Sequence, residues 1–246
     1  MRQWDDGVVS NTPIHPDLAD LSAEELIAWL KERISSGKGR IANGYQGGVY
    51  FYNSGEHRLI IKHAKGVLFK WLRQAMIRRE YRIYQRLQGL HGIPHCYGLL
   101  QGQYLLLEHI DAPSVRHILL KDREAFLDKL LKLILAMHER GVVHGDLKRK
   151  DNILVLNREE PYLVDFAMAM ARKSRLRLFN RFMYGFWQKL DLNAWLKLKY
   201  GRDFSGISEQ DRAYYRPTFI EGASRRIGKP MHRLKRVWRR AKARVV

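Results

Sequence analysis

The feature that most constrains this chain is one stretch, His144-Gly145-Asp146-Leu147-Lys148-Arg149-Lys150-Asp151-Asn152-Ile153-Leu154-Val155. A His-x-Asp turn leads through a short basic loop to Asn152 and then into an apolar run with strand character. A second apolar run, Tyr162-Leu163-Val164, ends on Asp165. Phosphoryl transfer from a nucleotide needs such a set: one carboxylate to orient a hydroxyl nucleophile, and an amide and a second carboxylate to hold Mg2+ on the phosphates.

The chain ahead of this stretch reads as a small sheet with helices. Residues 1–20 mix Pro, Asp and His without a period and read as an arm. Ser22-Ala23-Glu24-Glu25 is a capping box that opens a helix to about Ile34, with Leu26, Ile27, Leu30 and Ile34 on one face. That helix is expected to pack on the next unit without taking part in chemistry. Residues 41–52 read as strand, glycine loop, strand, with Gly44, Gly47 and Gly48 in the loop. Glycines let backbone N–H groups approach phosphate oxygens. Asn53-Ser54-Gly55-Glu56 reads as a hairpin turn, and Leu59-Ile60-Ile61-Lys62 as a third strand.

A long helix is predicted from about Val67 to Leu87. Glu80, Ile83, Tyr84 and Leu87 share one face at i, i+3, i+4, i+7, so Glu80 points inward. A lone carboxylate there is costly to bury, and Lys62 is the natural cation for it; an ion pair with Arg78, Arg79 or Arg82 is the alternative. Residues 93–100 and 103–110 form a second hairpin. Residues 108–113 follow as a short hinge between that hairpin and the helical half. Ser114 is expected to start a short helix, and Arg123–Arg140 a longer amphipathic one that delivers the chain to His144.

Taken together, Lys62, Glu80, His144-x-Asp146, Asn152 and Asp165 resemble the protein-kinase-like superfamily. The His-Gly-Asp wording resembles the small bacterial lipopolysaccharide-core (heptose or Kdo) kinases and the RIO kinases more than ordinary protein kinases. The resemblance implies an α+β, two-lobed fold. Its N-lobe, residues 1–110, would hold a five-stranded antiparallel sheet, and its C-lobe, residues 111–246, would be short and mainly helical. It implies ATP and Mg2+ as cofactors, Asp146 and Lys148 as catalytic residues, and Asn152 and Asp165 as metal ligands. Gly44, Gly47, Gly48, Lys62, Glu80, Glu108 and Ile110 would form the nucleotide site, and His144 would be structural, bonding backbone near Asp165. Two departures stand out. Five residues rather than four separate Asp146 from Asn152, so either the loop bulges or Asp151 shares the metal role. The Asp-Phe-Gly element reads Asp165-Phe166-Ala167.

Charge points to an acceptor class. The net charge is +20, and the segment from Arg172 to Val246 carries 21 Lys/Arg against 5 Asp/Glu. That implies a polyanionic partner for the C-terminal third. Phe179, Phe182, Met183, Phe186 and Leu190 lie at helical spacing among basic residues, and the tail from Pro230 has a narrow apolar stripe between arginines and lysines. Such helices suit either a core or an anionic membrane surface. The single cysteine, Cys96, excludes an internal disulfide. No signal peptide or spanning segment is apparent. The expected place is the cytoplasm, with peripheral contact at the inner membrane face. Little chain follows Asp165, and it contains no Ala-Pro-Glu, which favours a minimal kinase acting on an anionic saccharide or glycolipid. A Ser/Thr protein kinase of RIO-like or minimal type, whose basic tail binds nucleic acid, is the alternative. A non-catalytic scaffold on the same fold is the third reading.

Overall fold

The computed structural model describes residues 16–18, 20–36, 40–43, 47–64, 70–173, 178–201 and 206–215. The expected arm before residue 16, Gly44 in the glycine loop, and the basic tail from Pro230 lie outside the described residues.

The first half is built on one antiparallel sheet. Strands β1 (Arg40–Asn43), β2 (Gly47–Asn53), β3 (Arg58–Ala64), β4 (Cys96–Leu100) and β5 (Tyr104–Glu108) lie in the spatial order β1-β2-β3-β5-β4. Strand side chains alternate between faces, and β3 shows what that does. Leu59 and Ile61 are buried with Leu106 and Tyr104 under helix α1 (Ala23–Ser36), through Leu26 and Leu30. Ile60 and Lys62 turn to the other face, opposite Leu107 and Leu105. The N-terminal helix is capped as expected, with the Glu25 N–H donating to Ser22 Oγ at 3.4 Å. It supplies packing and no site residue.

Helix α2 (Lys70–Leu87) covers the second face. Its inward positions are Ile77, Glu80, Ile83, Tyr84 and Leu87, all buried. They pack into the larger core with Leu105, Leu107 and residues of helix α3 (Arg123–Glu139), whose Phe126, Leu127, Leu130, Ile134 and Met137 face inward. Asp122 caps α3 by accepting from the Ala125 N–H at 3.0 Å. This core joins the sheet to the helical half, and the site lies along that junction.

The expected helix at Ser114 does not form. Ser114 makes an isolated bridge with Leu154. Its Oγ donates to the Lys150 carbonyl at 2.9 Å and accepts from the Arg116 N–H at 3.1 Å. The short polar side chain competes with the helix for backbone partners and wins here.

The catalytic-type stretch follows strand β6 (Val142–Val143), which pairs with β9 (Met170–Ala171). Strands β7 (Ile153–Leu156) and β8 (Glu160–Leu163) form a hairpin in register Ile153↔Leu163. Helix α4 (Leu178–Tyr200) crosses next, followed by the short α5 (Glu209–Arg212). Of the aromatic stripe expected on α4, Phe182 is 73% exposed and Met183, Phe186 and Leu190 are half-buried; the Phe179 side chain lies outside the description. The core face is instead Tyr184, Asp191 and Trp195, at i, i+7, i+11. Tyr184 OH donates to the His138 carbonyl at 2.9 Å, and Trp195 Nε1 to the Leu127 carbonyl at 2.8 Å. Polar tips that need partners on α3 decide which face of α4 turns inward. α4 is therefore a core helix rather than one resting at a lipid interface. No described helix is long and apolar enough to cross a membrane.

Candidate active site

The two carboxylates and the lysine that the sequence singles out meet. Lys62 Nζ lies 2.6 Å from Glu80 Oε1 and 2.8 Å from Asp165 Oδ1. β3 supplies the lysine, the inward face of α2 supplies Glu80, and the end of the β7–β8 hairpin supplies Asp165. Burial alone would weaken the Lys62 charge, but Glu80 and then Asp165 outweigh it and raise its pKa above the ordinary lysine range. Burial pushes Glu80 up, against the pull of Lys62. Asp165 is desolvated too, yet the Lys62 charge and hydrogen bond hold it below the usual carboxylate range. The result is a fixed cation between a fully buried carboxylate and one that reaches solvent.

Asp165 adopts the left-handed conformation, φ +65° and ψ +70°. Aspartate tolerates that region better than most residues. It turns the chain so that Phe166 drops into the core against Tyr84 (ring centroids 5.1 Å) and His144 (4.7 Å), while the carboxylate stays at the cavity. Ala167 sits in a following 3-10 turn, Phe166–Met168, and is not among the positive-φ residues. The missing glycine therefore imposes no strain in this conformation.

His144 is fully buried, and its Nε2 is 3.0 Å from the Val164 carbonyl, the structural role expected of it. The extra residue between Asp146 and Asn152 is taken up by a 3-10 turn over Lys150–Asn152. That keeps Asn152 buried, with Nδ2 donating to the Asp146 carbonyl at 3.1 Å. Asp151 is drawn aside, its carboxylate 3.3 Å from Arg116 and 3.5 Å from Ser114 Oγ.

A cavity of about 840 Å³ opens where these groups converge. Gly48, Val49 and Ile60 line it from the sheet, and Glu108, His109 and Ile110 from the hinge. Asp146, Lys148, Asn152 and Asp165 line the opposite side. Gly48 has a packing reason of its own, because a Cβ there would come within 2.7 Å of the buried Tyr50 ring. The Glu108 carboxylate accepts from the His95 N–H at 2.9 Å, and its own N–H donates to the His95 carbonyl at 2.8 Å. Glu108 thus braces β5 against the segment before β4.

One site residue escaped the sequence reading. Asp191, on α4 and 1% exposed, accepts from the backbone N–H of His144 (2.8 Å) and Gly145 (2.8 Å), and faces His138 Nε2 at 3.1 Å. A buried carboxylate with three such partners is fully used. It pins the turn that carries Asp146. The only local hint was a lone acid between Leu190 and Leu192 in an otherwise aromatic and basic helix.

The RIO domain matches this chain over residues 45–181, more than half of it. The chain belongs to the RIO domain family. The match spans strands β2 to β5 of the sheet, α2, the hinge and the whole stretch from His144 through Asp165. Curated relatives include the serine/threonine-protein kinase PknH of Mycobacterium tuberculosis, 33% identical over 104 residues that cover 39% of this chain and 16% of PknH. PknD of the same organism is 34% identical over 107 residues, 40% of this chain and 16% of its own length. The putative cyclin-dependent kinase F-2 of Oryza sativa subsp. japonica is 30% identical over 122 residues, 41% of this chain and 34% of its own. The chain thus spans only 16% to 34% of the length of these relatives. The RIO domain has a protein-kinase-like fold, as the sheet, α2 and the loop pattern led us to expect.

The RIO domain's oxygen donors fit a hard divalent cation. Asn152 spends its Nδ2 on the Asp146 carbonyl, which leaves its amide oxygen for a cation, and Asn152 and Asp165 line the same cavity. Mg2+ is commonly held by one or two such protein oxygens, with phosphates and water supplying the rest. The one cluster of three metal-capable side chains among the described residues, Asp20, Glu56 and His57, is not part of this cavity.

Proposed function

We propose that this RIO-domain chain is an ATP-dependent phosphotransferase that moves the γ-phosphate to a hydroxyl on a saccharide or glycolipid acceptor. The observation that carries the reading is the Lys62 bridge between Glu80 and Asp165, lining a cavity shared with Asp146 and Asn152. An isolated structural ion pair needs neither the second carboxylate nor the cavity. Five polar groups from separate elements, aimed into one space, suit electrostatic positioning of a phosphoryl group.

Each residue then has a task. Ile110 offers backbone to the base at the hinge, and Gly47 and Gly48, which open strand β2 rather than lying in a loop, let phosphate oxygens come close to the backbone. Lys62, held by Glu80, neutralises phosphate oxygens. Asn152 and Asp165 would hold Mg2+, and the ion would supply neutralisation of phosphate charge there. Asp146 orients the acceptor hydroxyl and accepts its proton, and Lys148 stabilises charge on the transferred group. The bond formed is acceptor O–P, the bond broken links the γ-phosphorus to the bridging oxygen, and ADP leaves. The N-lobe ends near residue 110, where β5 gives way to the hinge.

The saccharide acceptor is supported by the basic balance of the C-terminal third and by the indole of Trp187, which lines the same cavity as Asp146. An anionic membrane surface is the place where such a glycolipid and the basic C-terminal segment would meet. Acceptance of a protein Ser/Thr hydroxyl is the second reading, favoured by the names of the curated relatives and by Lys148 two residues after Asp146. The two separate on transfer of label from γ-labelled ATP with Mg2+ into a membrane-plus-cytosol extract. Label in a glycolipid fraction that vanishes with Asp146→Ala supports the first. Asp146-dependent label in discrete protein bands overturns it in favour of the second.

A further inference from the structure

Gly145 and Trp187 are in unusually intimate contact. A Cβ at Gly145 would come within 2.0 Å of both Cε3 and Cζ3 of the indole. Gly145 has φ +79°, so the backbone just before Asp146 is laid against the ring. Trp187 and Asp191 sit four residues apart on the same face of α4. Asp191 accepts the Gly145 N–H at 2.8 Å, so helix, indole and turn are held as one unit. Yet Trp187 is only half-buried, and with Leu190 it forms an apolar wall of the cavity that contains Asp146. Lys148 and Arg149 are exposed on the same cavity, with Arg149 Nη1 4.0 Å from Asp146 Oδ2.

We propose that Trp187 is the acceptor platform of this site. Its indole takes the apolar C–H face of a saccharide ring beside Asp146, while Arg149 holds an acidic substituent of that sugar. This rests on the phosphotransferase reading above and names its acceptor subsite. An aromatic face attracts polarised C–H groups and leaves hydroxyls to point away toward polar partners, which is what a hydroxyl destined for Asp146 requires. An extended peptide is usually held by pairing its backbone to unpaired N–H and C=O groups. The side of α4 offers none, because a helix satisfies its backbone groups internally.

The test is saturation-transfer NMR on the full chain with Mg2+, a non-hydrolysable ATP analogue, and two probes, mannose 6-phosphate and 3-deoxy-octulosonic acid. Wild type is compared with Trp187→Phe, which keeps a π face, and Trp187→Leu, which fills space without one. In wild type, saturation should reach the ring C–H protons of at least one probe. That signal should fall roughly fivefold in Trp187→Leu, the scale of one lost aromatic contact, and survive in Trp187→Phe. The adenine-proton signal should be unmoved in all three. Equal sugar signals in the leucine and phenylalanine variants overturn the platform, since a merely structural Trp187 has no use for a π face. Adenine signal without sugar signal in wild type overturns the saccharide class and leaves the phosphotransferase standing. No adenine signal in wild type removes both. A serine-bearing peptide that takes saturation through Trp187 instead of the sugars overturns the proposal in favour of a protein acceptor.

Discussion

At the residue scale, two positions hold the reacting end of the site in place. Gly145 combines a left-handed φ with a contact that leaves no room for a Cβ. Gly145→Ala should therefore destabilise the fold by about 1–3 kcal/mol, read as a lower midpoint in chemical denaturation; an unchanged midpoint would mean the turn is not held against Trp187. Asp191 binds two backbone N–H groups through its two oxygens. Asp191→Asn turns one acceptor into a donor that faces a donor. It should cost about 1–3 kcal/mol and slow phosphoryl transfer by ~10² through displacement of Asp146. Normal turnover at reduced stability would confine Asp191 to a structural task. Cys96 is buried, and burial pushes its thiol up to about 12. In the folded protein it should react with a disulfide reagent at pH 8 only at the rate of unfolding. The thiolate is the reactive form, so fast labelling would place Cys96 at the surface.

The element scale shows what could be read from sequence and what could not. The Lys62–Glu80 pair was legible because a 3.6-residue period fixes the face on which Glu80 lies, and a buried acid demands a cation. Asp165 was legible from its place after a short apolar strand. Its tie to Lys62 was not, because residues 103 positions apart in sequence leave no local trace of contact. Asp191 was missed for the same reason: its partners lie 46 and 47 residues upstream, and the aromatic stripe around it suggested a different face for α4. Ser114 was misread because a helix start and a side-chain-to-backbone turn share the same residue type.

The same triad sets a pH dependence. The Asp165 pKa is lowered in the fold, so its contribution to stability is present above the ordinary carboxylate range and is lost as pH falls through the lowered value. Glu80 runs the other way. Burial raises its pKa, so its ionised form is the costly one, and its contribution declines as pH rises through the raised value. Asp165→Asn should flatten the acid limb of denaturation midpoint against pH below about pH 4, the ordinary aspartate value from which the lowered pKa departs. An identical acid limb in variant and wild type would show that Lys62 does not hold Asp165 in solution.

At the scale of the whole molecule, two cores do different work. The smaller one seals α1 onto the outer face of the sheet. The larger one runs from α2 through α3 to Trp195 on α4, and it ties the sheet to the helical half on either side of the cavity. Ligand binding across that junction should stabilise the protein as a unit. Mg·ATP at about a hundred times its dissociation constant should add ~2.7 kcal/mol, with a smaller gain when chelator removes Mg2+. Equal gains with and without Mg2+ would remove Asn152 and Asp165 as metal ligands.

The assignment of the site rests most directly on γ-phosphate transfer by wild type and Asp146→Asn, measured under one set of Mg2+ and ATP conditions with nucleotide binding checked in parallel. Mg2+-dependent transfer in wild type that drops by at least ~10² in the variant, with ATP still bound, is the expected result. Equal transfer by both proteins, or ATP binding without any Asp146-dependent transfer, would contradict it.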